Sequence, residues 1–386
     1  MKTVGLAGKP NAGKSTFYTA STMADVDVAD YPFTTIDANR GVAHVRTTCP
    51  CQALDDRCGN CEDGRRYVAV ELVDVAGLVP GAHEGRGLGN QFLDELRQAD
   101  SVINVVDSSG ATDEEGEACE PGEHDPQEDV EFLRTELEMW LHGVVEDNWE
   151  KIERRSRAPD FDFEEEVTRA FTGVGASEAD VRKALREIDA PEFEDWDDAD
   201  RRALARELRR TSKPIQVAAN KADVAADELL QPLVDEGAVP TSAASELALR
   251  RATEQGVVDY HPGDPTFDVV GDVSDSQRRG LEEIREVMAE HGGTGVQDAL
   301  DEAVYGLLDM ITVYPVEEQS TWKGADDEVL PDALLLPAGS TPVDLAYEIH
   351  TDIGDGYHHA VDAREGRRIG ESHELEEGDV VKIVTA

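Results

Sequence analysis

No apolar run in this 386-residue chain approaches the length of a membrane span, which excludes a helical passage through a bilayer. Met1-Lys2 runs straight into a strand-like apolar stretch, so no leader is expected and the protein is read as cytoplasmic. Basic residues are scarce: 36 Lys and Arg stand against 84 Asp and Glu, a formal net charge of −48. Nonspecific attraction to phosphate backbones therefore cannot be the main mode of any contact with RNA. Cysteine is sparse too, five in all, and four of the five fall within residues 49–61. That clustering points away from disulfides and toward metal chemistry.

The acidic residues are spread through every segment rather than gathered in a tail. Self-repulsion of this size destabilises a compact fold at low salt, whereas molar salt shortens the screening length to about 3 Å. A halophilic, salt-filled cytoplasm is the environment this composition suits. The alternative, an acidic face for a basic partner, fits less well because the charge is not localised. The clustered cysteines read Cys49-Pro50-Cys51 and Cys58-Gly59-Asn60-Cys61. Such an array can wrap a tetrahedral Zn²⁺, although C-x-C is tighter than the usual knuckle. Structural zinc, reduced thiols on a loop, and a redox switch all stay open. Cys119 stands alone and is read as inert.

What the chain does have is a strand-like run, Val4–Ala7, followed by Gly8-Lys9-Pro10-Asn11-Ala12-Gly13-Lys14-Ser15-Thr16 and a helix start. This is the phosphate-binding pattern G-x-x-x-x-G-K-[ST] in its confirming context. Gly8 and Gly13 let backbone N–H groups turn inward around a phosphate. Lys14 reaches the β- and γ-phosphate oxygens, and the Ser15 hydroxyl can ligate Mg²⁺ at the positive end of a helix.

Tyr31-Pro32-Phe33-Thr34-Thr35 places two hydroxyls in an extended loop, the candidate first switch, where a threonine can meet Mg²⁺ and the γ-phosphate. A β-rich run, Tyr67–Asp74, ends in Asp74-Val75-Ala76-Gly77, which fits D-x-x-G. The Asp74 carboxylate would hold Mg²⁺ through water, and the Gly77 N–H would meet the γ-phosphate. The glycine-rich stretch that follows, Leu78–Gly89 with His83, is the candidate second switch. Lys213–Asp223 then delivers Asn220-Lys221-Ala222-Asp223 from the end of another strand. An acceptor-only carboxylate at 223 pairs with the N1–H and exocyclic amine of guanine, whereas adenine opposes it with a lone pair. A buried polar mismatch of that kind discriminates by about 10⁴ or more. Lys221 can lie over the ring, Asn220 would tie this loop to the phosphate loop, and Ser242-Ala243 would supply a backbone contact to the guanine carbonyl.

Between these motifs, Ser101–Asp107 reads as a buried parallel strand and Asp113–Asp129 as an acidic loop. An apolar stripe from Val130 to Ile152, a capped helix near Ser177 and a third helix over 200–210 make up a helical insertion. The expected division is 1–126 and 213–310 for the nucleotide domain, 127–212 for the insertion and 311–386 for a small C-terminal unit. In that last unit, short strands around one helix suggest a β-grasp.

At this point the sequence resembles the Obg superfamily of GTPases, and within it the YchF-type proteins in their archaeal form. Gly8–Thr16, Tyr31–Thr35, Asp74–Gly89, Asn220–Asp223 and Leu336–Asp352 carry the match, the last resembling a TGS domain. The implied fold is α/β: a P-loop GTPase domain with a mostly parallel sheet, interrupted by a helical insertion, plus the C-terminal β-grasp TGS domain. The resemblance implies GTP hydrolysis to GDP and phosphate, Mg²⁺ as cofactor, and nucleotide-dependent binding to ribosomes, their RNA or proteins. It makes Thr35, rather than Thr34, the switch-I metal ligand. Leu78 stands where many GTPases carry a water-orienting glutamine, and the resemblance makes His83 the water-positioning residue; the alternative is a His83 that faces solvent. Asn11 matches the asparagine of potassium-activated relatives, in which K⁺ takes the place of an arginine finger. Many YchF proteins lack N-K-x-D and are similar to ATPases; here the motif is intact, so GTP is expected over ATP. A monomer is expected. Two competing readings are a ribosome- or RNA-binding module with nucleotide as a structural ligand, and an ATP-hydrolysing stress or redox regulator.

Overall fold

The structure, a computed structural model, describes residues 1–23, 39–54, 57–75, 95–189 and 193–386. It divides into two compact units. One comprises Thr3–Ala43 and Glu71–Ala303; the other comprises Met1–Lys2, His44–Val70 and Val304–Ala386.

The first unit begins with β1 (Thr3–Ala7), whose last four residues are buried, and α1 (Lys14–Thr22). β2 (Arg40–Thr48) and β3 (Arg65–Asp74), which belong to this unit through Arg40–Ala43 and Glu71–Asp74 and to the other through the rest, alternate buried and half-buried positions over much of their length, the period of a strand with one covered face. β4 (Ser101–Asp107) is buried at every position, as an inner parallel strand must be. The chain then runs through four helices, α2 (Pro126–Arg155), α3 (Phe163–Phe171), α4 (Glu178–Glu187) and α5 (Asp198–Ser212). It returns as β5 (Ile215–Asn220), α6 (Asp227–Asp235), β6 (Val239–Thr241) and α7 (Ala243–Glu254). A two-stranded ribbon, β7 (Val258–Asp259) with β8 (Asp268–Val269), precedes α8 (Asp275–His291) and α9 (Val296–Asp301). The sheet order is β2-β3-β1-β4-β5-β6, and β1 pairs in parallel with both β3 and β4. That order reverses around β1, and ligands in open parallel sheets bind beyond the carboxyl ends of strands at such a switch point.

Three helix boundaries follow from their caps. Ser177, Asp197 and Ser274 each close a reciprocal capping box at the start of α4, α5 and α8. Helix α2 begins earlier than its apolar stripe suggests, inside the stretch expected as loop: Asp125 caps it by accepting from the Gln127 N–H, and Pro126 sits at the first helical position, where its missing N–H costs nothing. This helix serves two cores. Leu133 and Leu137 pack with Ala7, Val73 and Val102 of the sheet, while Leu141, Val145, Trp149 and Ile152 pack with α3 to α5. Helix α3 was not expected, although Phe163, Val167 and Phe171 stand at i, i+4 and i+8 behind an Asp162 cap. Its buried Glu166 is matched by Arg155 at 3.0 Å and Arg169 at 2.7 Å.

In the second unit, β9 (Met310–Pro315), β10 (Leu334–Pro337), α10 (Pro342–Ile349), α11 (Thr351–Asp355), β11 (Tyr357–Asp362), β12 (Arg367–Ile369) and β13 (Val380–Thr385) form a mixed sheet. Its order is β10-β9-β13-β11-β12, with β9 and β13 parallel and the other pairs antiparallel. Leu345 of α10 packs onto Val313, Leu336, Ala360 and Val381, which makes the expected β-grasp core. Pro315 falls at the last residue of β9, where a missing donor breaks little of the ladder.

Candidate nucleotide-binding site

The loop after β1 has the geometry an anion cradle needs. Gly8 and Gly13 adopt φ of 151° and 99°. A Cβ on Gly8 would meet the Val105 carbonyl oxygen at 2.5 Å, and one on Gly13 would meet the Asn220 amide nitrogen at 2.1 Å. Neither position tolerates a side chain. Gly13 caps α1 without any side-chain acceptor, so the first N–H groups of that helix are left for a ligand. Ala12 is buried, while Ser15 lies exposed at the same helix start. The Lys14 ammonium pairs with the Asp74 carboxylate, which brings the lysine of the first motif against the acid of the second.

Sixty residues separate Lys14 from Asp74 in sequence; sheet register unites them. Parallel pairing of Leu6 with Asp74 sets the acid at the carboxyl end of β3, beside the loop that β1 feeds. In the same way, Asp107 of β4 pairs with Asn220 of β5, so N-K-x-D emerges next to the phosphate loop.

Asn220 is the hub of the base side. It is 3% exposed; its Nδ2 donates to the Ala12 carbonyl at 2.8 Å, and its Oδ1 accepts from the Ala243 N–H at 3.1 Å. One side chain thus fixes three loops to one another. Asp223 is exposed, and the Ser242 hydroxyl donates to its Oδ1 at 2.7 Å. Because each carboxylate oxygen has two lone pairs, Asp223 keeps acceptor capacity toward a base. Behind it, the Ser242 N–H donates to the Thr294 carbonyl at 2.8 Å. The hydroxyls of Thr294 and Tyr260 both donate to buried Glu246, each at 2.6 Å. Burial pushes the Glu246 carboxyl above its ordinary range, against the pull of those two hydrogen bonds.

Two residues take roles that the motifs alone do not reveal. Asp107, fully buried, accepts from Lys221 at 2.7 Å, from the Thr112 hydroxyl at 2.9 Å, and from the N–H and hydroxyl of Ser109. Burial alone would raise this carboxyl, but the Lys221 ammonium and the hydroxyls outweigh it and hold it below the usual range. Asp107 therefore positions Lys221, which sits at φ 65°. The sequence signal was an acid closing a largely apolar strand. Lys9 is the second case: its ammonium is buried against the Thr112 carbonyl and Asp129, each at 2.7 Å, and Asp129 also meets His124 at 2.9 Å. Removing one partner from such a buried pair costs about 3–5 kcal/mol, so the Lys9 side chain braces the loop and only its backbone is left to face a phosphate. Pro10 and Asn11 are exposed on the loop.

Thr34, Thr35, Gly77 and His83 lie outside the described residues, as do both candidate switch segments in full. The donor set present fits a nucleotide with its metal: an uncapped helix start and Lys14 for phosphates, Ser15 and Asp74 as oxygen ligands suited to Mg²⁺, and Asp223 for a base edge. Away from this site, Cys49, Cys51, Cys58 and Cys61 place their sulfur atoms within 4.8 Å of one another. Among the described residues no helix is long and apolar enough to cross a membrane.

Comparison with known proteins agrees with this geometry. Residues 3–136 match the family model described as 50S ribosome-binding GTPase, residues 218–318 match the G4 motif-containing domain of Obg-like GTPase YGR210-like proteins, and residues 327–385 match the TGS domain. A GTP-binding protein of Methanocaldococcus jannaschii is 43% identical over 401 residues, covering 100% of both chains. The ribosome-binding ATPase YchF of Bacillus subtilis is 33% identical over 238 residues, 60% of this chain and 58% of that protein. The crystal structure of a GTP-binding protein from Pyrococcus horikoshii OT3 superposes with a TM-score of 0.81 at 36% identity, over the whole of both chains. With its phosphate loop, its N-K-x-D hub and its C-terminal TGS domain, the chain belongs to the Obg-like, YchF-type family of GTP-binding proteins.

Proposed function

We propose that this protein binds GTP with Mg²⁺, hydrolyses it to GDP and phosphate, and uses the bound nucleotide to set its affinity for ribosomes. The observation that carries the reading is the Asn220 hub, which joins the phosphate loop to a base loop whose one open acid, Asp223, is braced by Ser242. Lys14 and the N–H groups from Gly13 onward bind the β- and γ-phosphates; Ser15, Thr35 and Asp74 hold Mg²⁺, which when bound neutralises charge on the phosphate oxygens. The Gly77 N–H meets the γ-phosphate. Leu78 can neither donate nor accept, so His83 orients the attacking water, and Asp223 selects guanine over adenine. The ribosome part rests on the matched family description and on the name of the Bacillus subtilis relative. A monomer in a salt-rich cytoplasm is consistent with the net charge of −48.

Co-sedimentation with ribosomes in molar KCl tests the switch. The protein is expected to pellet with a non-hydrolysable GTP analogue and to stay in the supernatant with GDP. Equal pelleting in both states would favour the second reading, a binding module in which nucleotide is a structural ligand.

The Asn11 side chain extends this to a monovalent cation. Its Nδ2 donates to the Gly116 carbonyl at 2.9 Å, which orients Oδ1, the one side-chain atom able to ligate K⁺. Steady-state phosphate release is expected to be faster in KCl than in NaCl at equal ionic strength, and the difference is expected to vanish in Asn11→Ala. Equal wild-type turnover in the two salts would remove K⁺ from the account.

A further inference from the structure

We propose that Cys49, Cys51, Cys58 and Cys61 form a structural zinc site that fastens the loop between β2 and β3 onto the C-terminal β-grasp. The four sulfurs have the compactness such a site requires. A tetrahedral Zn²⁺ with Zn–S bonds of about 2.3 Å spaces its sulfurs about 3.8 Å apart. Here Cys49 and Cys58 are 3.5 Å apart, Cys51 and Cys61 are 3.4 Å apart, and all four lie within 4.8 Å. Each close pair joins the C-x-C half to the C-x-x-C half, so neither half closes on itself. Three of the four are buried and the fourth is partly so.

The surrounding backbone builds this arrangement. Pro50–Ala53 is a short 3₁₀ turn that swings Cys51 around behind Cys49. Asp63 and Gly64, at φ 47° and 84°, make the positive-φ turn between Glu62 and Arg65 that returns the chain, and the Cys49 N–H donates to the Gly64 carbonyl at 2.7 Å. At φ 84° Gly64 sits in the left-handed region that L side chains rarely adopt, which favours glycine there. Thiols are weak hydrogen-bond groups, and four of them facing inward contribute little cohesion on their own. A bound ion turns the same loop into a rigid knot.

What that knot holds is also visible. Arg66, 5% exposed, donates to the Leu330 carbonyl at 3.1 Å and the Pro331 carbonyl at 2.8 Å, and its guanidinium lies 6.0 Å from the centre of the Tyr314 ring. Asn60, between Cys58 and Cys61, donates to the same Leu330 carbonyl at 3.4 Å. Leu330 is fully buried at φ 47°, held by its N–H to the Trp322 carbonyl at 2.8 Å. The metal loop and the segment from Trp322 to Pro331 are therefore one packed assembly, although 264 residues separate Arg66 from Leu330. This inference is independent of which nucleotide the protein binds.

The test uses the full-length protein purified without a metal-affinity tag. Elemental analysis is expected to give one zinc per chain, and Co²⁺ exchanged into that position is expected to show thiolate-to-cobalt charge transfer with tetrahedral d–d bands. In Cys49→Ser/Cys58→Ser the zinc content is expected to fall to about a tenth or less, because two thiolate ligands are gone. Removing zinc from the wild-type protein with a chelator, which needs no substitution and so no refolding, is expected to speed amide exchange across residues 322–331. Four thiols that react freely with a disulfide reagent in native, metal-free protein would overturn the proposal. So would stoichiometric iron, zinc that persists in the double variant because His142, Glu146 and Asp198 hold it, or amide exchange indifferent to zinc removal.

Discussion

Asp223→Asn is expected to lower GTP affinity by roughly 10³ or more and to create affinity for xanthosine triphosphate. The Ser242 hydroxyl donates to Asp223 Oδ1 in the native site. In the variant the amide carbonyl inherits that bond, which leaves the NH₂ group toward the base. Guanine presents an N1–H and a C2 amine there, so the amine now faces a donor with no acceptor between them, and an unpaired polar contact in a tight site carries the full desolvation cost. Xanthine replaces that amine with a carbonyl and matches the amide. Circular dichroism and thermal unfolding are expected to change little, because Asp223 is exposed and the Asn220 hub is untouched. Direct calorimetric titration of GTP and of xanthosine triphosphate into the wild-type protein and the variant checks this.

Lys14→Ala is expected to abolish measurable phosphate release, a loss of at least about 10²–10³ in turnover, since one charged donor aimed at developing phosphate charge is worth that much. The side chain is also the partner of Asp74, and both are partly exposed, at 13% and 22%. Solvent therefore absorbs most of the cost of leaving Asp74 alone, and the fold is expected to survive. Lys14→Arg is not expected to rescue, because a planar fork cannot occupy the place of a compact ammonium. Single-turnover hydrolysis beside a direct binding measurement separates the loss of chemistry from the loss of affinity.

The parts of the site that were legible in the sequence are those written as contiguous motifs. Gly8–Ser15 and Asn220–Asp223 each carry their chemistry within a few residues, and the cap at Ser177 marks its helix as plainly. What escaped was set by register and burial. Asp107 serves the site only because β4 and β5 pair it with Asn220, and no local pattern announces that Lys9 turns inward to Asp129. Arg66 likewise gave no sign that it would reach Leu330. Proline misled at one point: Pro126 lies in the stretch expected as loop, yet it occupies the first helical position, where a missing N–H is harmless. The cysteine spacing left zinc, free thiols and redox chemistry open, and proximity of the four sulfurs is what favours the first.

A chain this acidic meets its nucleotide through a few fixed groups rather than through a basic field. The formal charge of −48 repels polyphosphates at long range, and molar salt screens that repulsion to about 3 Å. On the function proposed here, affinity then depends on the helix start, on Lys14 and on the metal, and selectivity depends on one carboxylate. Equilibrium competition of GTP against ATP on the purified wild-type protein, in molar KCl with Mg²⁺, tests that claim most directly. The account predicts that GTP displaces a labelled nucleotide at concentrations far below those ATP requires; equal or preferential displacement by ATP would contradict it.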